Sequence, residues 1–242
     1  MKLKDIQNIF HKELDAAFGE NEVSSFFQIL IAHYLKLNRI SLVLEPELTL
    51  TKTEEQPLFE ALSRLKNEEP IQYIIGETEF YGLPFKVNEN TLIPRPETEE
   101  LVEMIVDAAK SKNKTLKILD IGTGTGCIAV SLAKNLPQAQ VFALDVSGEA
   151  LKVARKNAQL NDVNITFFEA DILNANSFNS EFINLEFDII VSNPPYVRDL
   201  EKAEIKNNVL DYEPHLALFV ANKNPLQFYK AIAEFAQRKL KE

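Results

Sequence analysis

Residues 116–126 read Leu-Lys-Ile-Leu-Asp-Ile-Gly-Thr-Gly-Thr-Gly, and this stretch decides the fold of the chain. The apolar run at 116–121 is typical of a short buried strand. It leads directly into glycines at three alternate positions, and a helical pattern begins at Cys127. Glycines in this spacing let the main chain turn tightly and let a ligand approach the backbone. The stretch therefore predicts a strand, a ligand-binding turn and a helix, although a tight turn without a ligand is the simpler alternative.

From Pro96 onward, strands and helices alternate. We predict strands at 116–121, 140–144, 165–168 and 187–192, and helices at 127–136 and from the capping residue Ser147 to about residue 160. This alternation is typical of an α/β fold with a mostly parallel sheet. Right-handed crossovers place the carboxyl ends of all four strands on one edge of the sheet, where ligands are expected to bind.

The sequence before Pro96 has a different character. Up to about residue 75 the apolar spacing is helical, and Thr53 with Gln56 has capping-box spacing before a helix expected at 58–65. Residues 78–87 read as two short strands around a Gly82-Leu83-Pro84 turn. We therefore predict a helical bundle at 1–75, a β-hairpin linker at 76–96 and an α/β domain at 97–242.

Composition excludes several classes of protein. The 242 residues are 45% hydrophobic and 26% charged, which is typical of a globular protein and not of a disordered, collagenous or disulfide-rich chain. The formal net charge of -10 argues against tight sequence-independent binding to nucleic acid. Cys127 is the only cysteine, so we expect neither an intrachain disulfide nor a multi-cysteine metal site. The chain has no secretory signal pattern and no apolar run long enough for a bilayer, so we expect a cytoplasmic protein.

Acidic residues lie at or just after the ends of three of the predicted strands. Asp120 directly precedes the glycines, where it would repel a pyrophosphate but attract the ammonium and sulfonium charges of S-adenosylmethionine. Asp145 ends the next strand at roughly the spacing expected for a ribose-binding acid, with a helix-capping role as the alternative. Asp171 could accept a hydrogen bond from the adenine amino group, and Ile172 could pack on the ring. The pattern indicates an S-adenosylmethionine site.

The fourth strand delivers Asn193-Pro194-Pro195-Tyr196 to the same edge. Two consecutive prolines fix φ and remove two main-chain donors, so the turn presents carbonyl acceptors. The Asn193 side-chain oxygen and the Pro194 carbonyl can accept the two N–H bonds of a planar amino group, with Tyr196 as an aromatic wall. These residues predict methyl transfer to an amide or aryl amine nitrogen, without a dedicated general base.

Together the motifs resemble the class I S-adenosylmethionine-dependent methyltransferases, which have a Rossmann-like fold. The resemblance narrows at residues 91–99, Thr-Leu-Ile-Pro-Arg-Pro-Glu-Thr-Glu, which are similar to the segment before the catalytic domain of the HemK/PrmC family of release factor glutamine methyltransferases. It covers nearly the whole chain, including Tyr212-Glu213-Pro214 and Ala217-Leu218. The resemblance implies that S-adenosylmethionine is the cofactor and that the substrate is the glutamine of a Gly-Gly-Gln loop on a peptide chain release factor.

The resemblance and the motifs together give the expected site. The catalytic and substrate-binding residues are Asn193, Pro194, Pro195 and Tyr196. The cofactor-binding residues are Asp120, Gly122, Thr123, Gly124, Thr125, Gly126, Asp145, Asp171, Ile172 and Asn193. We expect no metal, no direct nucleic-acid contact, no membrane association and a monomer whose helical bundle docks the release factor. The family fold implies further strands beyond residue 242, so we expect this sheet to lack its last strands.

Two other functions remain open on the sequence. A nucleic-acid methyltransferase acting on adenine N6 would offer the same planar amino group to the same turn, but the acidic balance disfavours it. The second open function is that of a module that binds the cofactor but does not transfer a methyl group.

Overall fold

A computed structural model describes residues 1–45, 47–110, 112, 114–174 and 177–241. The chain divides into two compact units, Met1–Ile75 and Gly76–Glu242. None of the described helices is long and apolar enough to cross a bilayer.

The described residues of the first unit form a bundle of five helices, and the apolar spacing predicts such a helical bundle. Its core includes an edge-on contact between Phe10 and Phe27, whose ring centroids lie 5.1 Å apart. The helices are α1 (Leu3–Phe18), α2 (Glu20–Leu35), α3 (Arg39–Leu44), α4 (Lys52–Leu65) and α5 (Ile71–Ile75).

The predicted start of α4 at residue 58 is wrong, because the capping box lies earlier than the one inferred from Thr53. Glu54 N donates to Thr51 Oγ1, and Thr51 N donates to the Glu54 carboxylate. The helix therefore begins at Lys52.

The second unit begins with an antiparallel hairpin formed by β1 (Glu77–Phe80) and β2 (Leu83–Lys86). Its turn is Tyr81-Gly82, and the predicted Gly-Leu-Pro turn is wrong because Leu83 and Pro84 belong to the second strand. Both turn residues have positive φ, 51° for Tyr81 and 70° for Gly82. Positive φ at both central residues defines the two-residue hairpin turn whose twist matches the strands.

The predicted α/β fold is confirmed: a four-stranded sheet of order β5-β4-β3-β6 has parallel pairing throughout. The strands are β3 (Lys117–Ile121), β4 (Gln140–Asp145), β5 (Ile165–Glu169) and β6 (Ile189–Ser192). The last strand starts two residues later than expected, since Phe187 instead forms an isolated parallel bridge with Leu240. The helices around the sheet are α6 (Glu97–Lys110), α7 (Cys127–Asn135), α8 (Gly148–Leu160), α9 (Ser180–Ile183) and α12 (Gln227–Lys239).

Alternate residues of the strands supply two separate cores, one on each face of the sheet. Ile118 and Val141 belong to the cluster that contains α6 and α7 residues, whereas Leu119 and Leu144 belong to the other cluster. The second cluster is rich in phenylalanine. Its rings include Phe142, Phe168, Phe178, Phe182, Phe187 and Phe235. Burial on both faces is the usual condition of a parallel sheet.

The strand order places a crevice at the carboxyl edge of β3. Strands β4 and β5 extend the sheet to one side of β3, and the chain then adds β6 on the other side. Connections that leave in opposite directions open a crevice where ligands bind in open α/β sheets. The glycine loop follows β3 and the Asn-Pro-Pro-Tyr turn follows β6, so both motifs border this crevice.

The chain after β6 forms short elements near the same edge. Strand β7 (Val197–Arg198) pairs in parallel with β8 (Phe219–Val220). Between them lie a 3₁₀ helix (Asp199–Glu204), α10 (Asn207–Leu210) and α11 (His215–Leu218).

Candidate active site

The glycine loop is fixed to the ends of two strands. The main-chain N–H groups of Gly122 and Thr123 both donate to the Leu144 carbonyl of β4, at 2.8 and 3.1 Å. Gly126 has φ of 80°, and a Cβ there would lie 3.1 Å from the Cβ of Ala154 on α8. This position therefore needs glycine both for its backbone conformation and for the close approach of α8.

Asp145 joins the loop to the next helix. Its carboxylate is buried and accepts hydrogen bonds from Gly124 N at 2.8 Å and from Ser147 N at 2.9 Å. Burial raises the pKa of this carboxyl, and the hydrogen bonds from Ser147 and Gly124 partly oppose that shift. The side chain that caps α8 is Ser147, whose Oγ accepts from Ala150 N. Asp145 is thus a buried carboxylate at the crevice and not a solvated helix cap.

Asp120 lies beneath the glycine loop. Its side chain is fully buried, and Thr123 Oγ1 donates to Oδ2 at 2.6 Å. Within the described part of the chain, Oδ1 has no hydrogen-bond partner. Burial raises the pKa of Asp120 to about 7, and the nearby Asp145 carboxylate adds to the shift. The residue holds the loop from below, and a charge there is poorly solvated.

The crevice contains a cavity lined by the loops that follow the parallel strands. Gly122 and Gly124 contribute from β3, Asp145 from β4, and Asn193 from β6. Residues outside the four strand ends complete the wall. These are residues 89–92 before α6, the segment around Pro214, Leu216 and Ala217, and Phe228 and Ile232 of α12.

The Asn-Pro-Pro-Tyr turn is held by two side-chain hydrogen bonds. Ser192 Oγ donates to the Ile121 carbonyl at 2.6 Å, which joins the end of β6 to the start of the glycine loop. Asn193 Nδ2 donates to Thr98 Oγ1 at 3.2 Å, near the start of α6. Pro194 is buried and Tyr196 is exposed. The turn therefore presents its acceptors from a fixed backbone.

Comparison with known proteins shows which family the chain belongs to. Residues 7–76 match the PrmC N-terminal domain, and residues 98–215 match the methyltransferase small domain. A Flavobacterium psychrophilum protein named release factor glutamine methyltransferase is 57% identical over 242 residues, covering 99% of this chain and 83% of that protein. The chain belongs to the release factor glutamine methyltransferase family. A Bacteroides thetaiotaomicron protein of the same name is 43% identical over 230 residues, covering 95% of this chain and 80% of its own length.

A solved structure is also similar to part of this chain. The SAM-dependent methyltransferase from Agrobacterium tumefaciens matches with a TM-score of 0.44 and 18% identity, covering 68% of this chain and 48% of that chain.

The structure brings most of the predicted residues of this family member to one cavity. Those that line it are Gly122, Gly124, Asp145, Asp171, Ile172, Asn193, Pro194 and Pro195. The lining does not include Asp120, Thr123, Thr125, Gly126 or Tyr196. Three of these support the loop internally, since Thr123 Oγ1 donates to Asp120 and Thr125 Oγ1 accepts from Cys127 N at 3.3 Å.

An ion pair that sequence reasoning did not place joins two walls of the cavity. Glu213 is 3% exposed, and its carboxylate accepts from Arg95 Nη2 at 2.6 Å and from Ile93 N at 3.1 Å. Arg95 lies shortly after residues 89–92, and Glu213 lies directly before Pro214. Residues 89–92 and Pro214 line the cavity, although Arg95 and Glu213 are 118 positions apart in the sequence. Only the proline-flanked Pro94-Arg95-Pro96 segment signals a fixed side chain there; its partner is not evident from sequence.

The buried Asp120 carboxyl predicts a pH dependence of stability. Its ordinary pKa is 3.8 and its value in the fold is about 7, so the folded chain retains a proton that the unfolded chain has lost. The contribution of the protonated Asp120 carboxyl to the free energy of unfolding is fully present below about pH 4. This contribution is lost as the pH rises through about 7. Asp120→Asn is expected to raise the unfolding free energy at pH 8 by about 2 kcal/mol, with the difference shrinking between pH 7 and 4. Urea denaturation over this pH range measures it, and a pH-independent difference would contradict it.

Proposed function

We propose that this chain transfers the methyl group of S-adenosylmethionine to the side-chain amide nitrogen of the glutamine in a Gly-Gly-Gln loop of a peptide chain release factor. The observation that carries the proposal is the shared cavity. The acceptors of the Asn193-Pro194 turn and the Asp145 carboxylate with its glycine loop line the same space. The family membership of the chain supports this reaction and this class of substrate.

The residues around the cavity fit the cofactor. No atom outside their immediate neighbours lies within 4 Å of where a Cβ would stand on Gly122 or Gly124, so the backbone there is open to a ligand. Asp145 can accept hydrogen bonds from ribose hydroxyls, and Val146 and Ile172 offer apolar surface to an adenine ring. When bound, S-adenosylmethionine supplies an electrophilic methyl group on a sulfonium centre.

The Asn-Pro-Pro-Tyr turn can activate an amide nitrogen. That nitrogen is a poor nucleophile because its lone pair is delocalised into the carbonyl. The side-chain oxygen of Asn193 and the carbonyl of Pro194 accept hydrogen bonds from its two N–H groups. These N–H groups become more polarised as the nitrogen forms its bond to the methyl carbon and the sulfonium–carbon bond breaks, and one of the two protons then leaves to water. The two acceptors therefore stabilise the transition state more than the ground state. A fixed turn also keeps the nitrogen oriented toward the methyl group.

The remaining site residues complete the cofactor pocket, the substrate wall and the support of the loop. Asp171 accepts from the adenine amino group through Oδ2, because its Oδ1 already accepts from Leu173 N at 2.9 Å. Tyr196 forms the outer wall for the glutamine side chain. Asp120, Thr123, Thr125 and Gly126 act by holding the loop. The helical unit at 1–75 docks the release factor, and the enzyme works as a cytoplasmic monomer without direct contact to nucleic acid.

Asp145→Ala is expected to raise the Kd for S-adenosylmethionine at least about tenfold. The substitution removes charge-assisted hydrogen bonds to the ribose and also releases Gly124 N, and each such bond is worth about 1.5–3 kcal/mol. Isothermal titration measures the change, and Asp145→Asn should give an intermediate value. Asp107→Ala, which removes an exposed carboxylate on α6, is the matched control. An unchanged Kd would remove Asp145 from the cofactor site.

Methylation of a purified release factor tests the function as a whole. The chain is incubated with methyl-labelled S-adenosylmethionine and either the release factor or a variant whose Gly-Gly-Gln glutamine is alanine. We expect label only on the unaltered factor, located on that glutamine by peptide mass spectrometry. A parallel incubation with a cell extract is treated with protease or nuclease. Label that survives protease and disappears with nuclease would favour the adenine methyltransferase instead.

A further inference from the structure

Asn193 has a side chain whose two ends have opposite hydrogen-bonding character. The carboxamide presents an acceptor oxygen at one end and a donor NH₂ group at the other. The torsion that exchanges these ends is soft and roughly two-fold in asparagine. A reversed Asn193 would present its own NH₂ group to the NH₂ group of a substrate amide. The proposed reaction therefore requires a contact that selects one orientation.

Thr98 supplies the only side-chain contact of this kind to Asn193 that the described residues contain. Asn193 Nδ2 donates to Thr98 Oγ1 at 3.2 Å, across 95 positions of sequence. With the NH₂ end facing Thr98, the Oδ1 end is left for a ligand. Thr98 is 9% exposed, so water competes poorly for its hydroxyl.

The backbone that carries Thr98 is anchored on both sides. Thr98 N donates to the Arg95 carbonyl at 3.0 Å, and Arg95 itself is bound to the buried Glu213. On the other side, the Glu99 carboxylate accepts from Tyr81 N of the hairpin turn at 2.9 Å. A hydroxyl on a fixed helix start holds its partner more narrowly than one on a mobile loop.

We propose that Thr98 is a positioning residue that orients the Asn193 carboxamide, so that Oδ1 faces the substrate amide. Thr98 acts through Asn193 and need not touch the substrate. The inference rests on the proposed function, because the orientation matters only for a substrate that donates two N–H bonds.

Thr98→Val tests the inference because it keeps the shape of the side chain and removes the acceptor. We expect kcat for release factor methylation to fall about tenfold, which is the loss of one hydrogen bond of ordinary strength. The Kd for S-adenosylmethionine should stay within about twofold. Thr98→Ser retains a hydroxyl and should restore most of the rate. Ser131→Ala is the matched control and should leave kcat unchanged, since it removes a buried hydroxyl of α7 that has no hydrogen-bond partner among the described residues.

The preference of the enzyme for a glutamine over a glutamate side chain is a second measurement. A purely structural role of Thr98 would not change this preference. A release factor with glutamate in place of the Gly-Gly-Gln glutamine offers acceptors and no donors, so a correctly oriented Asn193 repels it. In Thr98→Val a reversed Asn193 can donate to that carboxylate. We expect the glutamate form to inhibit Thr98→Val several-fold more strongly, relative to wild type, and Thr98→Ser to behave like wild type. Equal inhibition of all three would overturn the proposal.

NMR of the Asn193 side-chain amide tests the role of Thr98 without requiring methyl transfer. The Nδ2 protons of Asn193, assigned by their loss in Asn193→Asp, should shift and exchange faster with water in Thr98→Val, and should stay near their wild-type positions in Thr98→Ser. Unchanged resonances in Thr98→Val would refute the inference even if the enzyme is active. Absence of methylation by the wild-type chain would instead refute the proposed function, while the resonances would still decide the role of Thr98.

Discussion

Asn193→Ala is expected to lower kcat for methyl transfer by about a hundredfold to a thousandfold, the range for removal of one group that stabilises developing charge. The substitution deletes the acceptor that the Asn193 side chain offers to the glutamine amide and leaves only the Pro194 carbonyl. The Kd for S-adenosylmethionine should change by less than about tenfold, because the loop held by Asp145 is untouched. Single-turnover transfer and an equilibrium titration separate the two effects.

The control for this variant is a second asparagine. Asn164→Ala removes an exposed side chain just before β5, at the opposite edge of the sheet from the cavity. It should leave both constants unchanged. An Asn193→Ala enzyme that transfers methyl groups at the wild-type rate would refute the role given to this residue. A comparable loss of transfer and of cofactor binding would place Asn193 in the cofactor site alone.

The parts of the site that follow strands could be predicted from sequence. An apolar run such as 116–121 predicts a strand from its own residues, and parallel strands bring their carboxyl ends to one edge. Once β3 and β6 are identified, the glycine loop and Asn193 must therefore lie near each other. The capping residue Ser147 could be identified for the same reason, since its effect is confined to the next helical turn.

The contacts between distant segments could not be predicted in this way. Asn193 with Thr98 and Arg95 with Glu213 join residues that are 95 and 118 positions apart. Neither pair has a spacing that periodicity could detect, because each depends on how whole elements pack. Asp120 shows a related difficulty. Its place before the glycines indicated a cofactor contact, whereas the structure buries its carboxyl under the loop, bonded to Thr123.

The position of the hairpin turn could not be predicted either, because it depends on an unusual backbone conformation. Gly82-Leu83-Pro84 has the composition of a turn, yet the turn is formed by Tyr81 and Gly82. Tyrosine seldom adopts a positive φ, so residue preferences alone place the turn one residue too late. The Tyr81 N–H is satisfied by Glu99 of α6. This contact is consistent with the unusual conformation of Tyr81. It joins residues 18 positions apart, so the turn sequence alone does not predict it.

Arg95→Ala is expected to lower the free energy of unfolding by about 2 kcal/mol, which is less than for a fully buried ion pair because the Arg95 side chain is 35% exposed. Among the described residues, the Glu213 carboxylate would keep only the hydrogen bond from Ile93 N, and it would stay buried. Because residues on both sides of this pair line the cavity, the Kd for S-adenosylmethionine should also rise. Urea denaturation measures the stability, and hydrogen exchange at the Ile93 amide localises the loss to this contact.

A second substitution separates loss of charge pairing from loss of packing. In Arg95→Ala/Glu213→Gln the buried group is neutral, so it no longer needs a cation to offset its desolvation. The double variant should therefore be more stable than Arg95→Ala alone, although it has one interaction fewer. Lys152→Ala, which breaks an exposed ion pair with Glu149 on α8, should leave the denaturation midpoint unchanged. If the double variant were no more stable than the single one, the packing of the Arg95 side chain, and not its charge, would hold the two walls together.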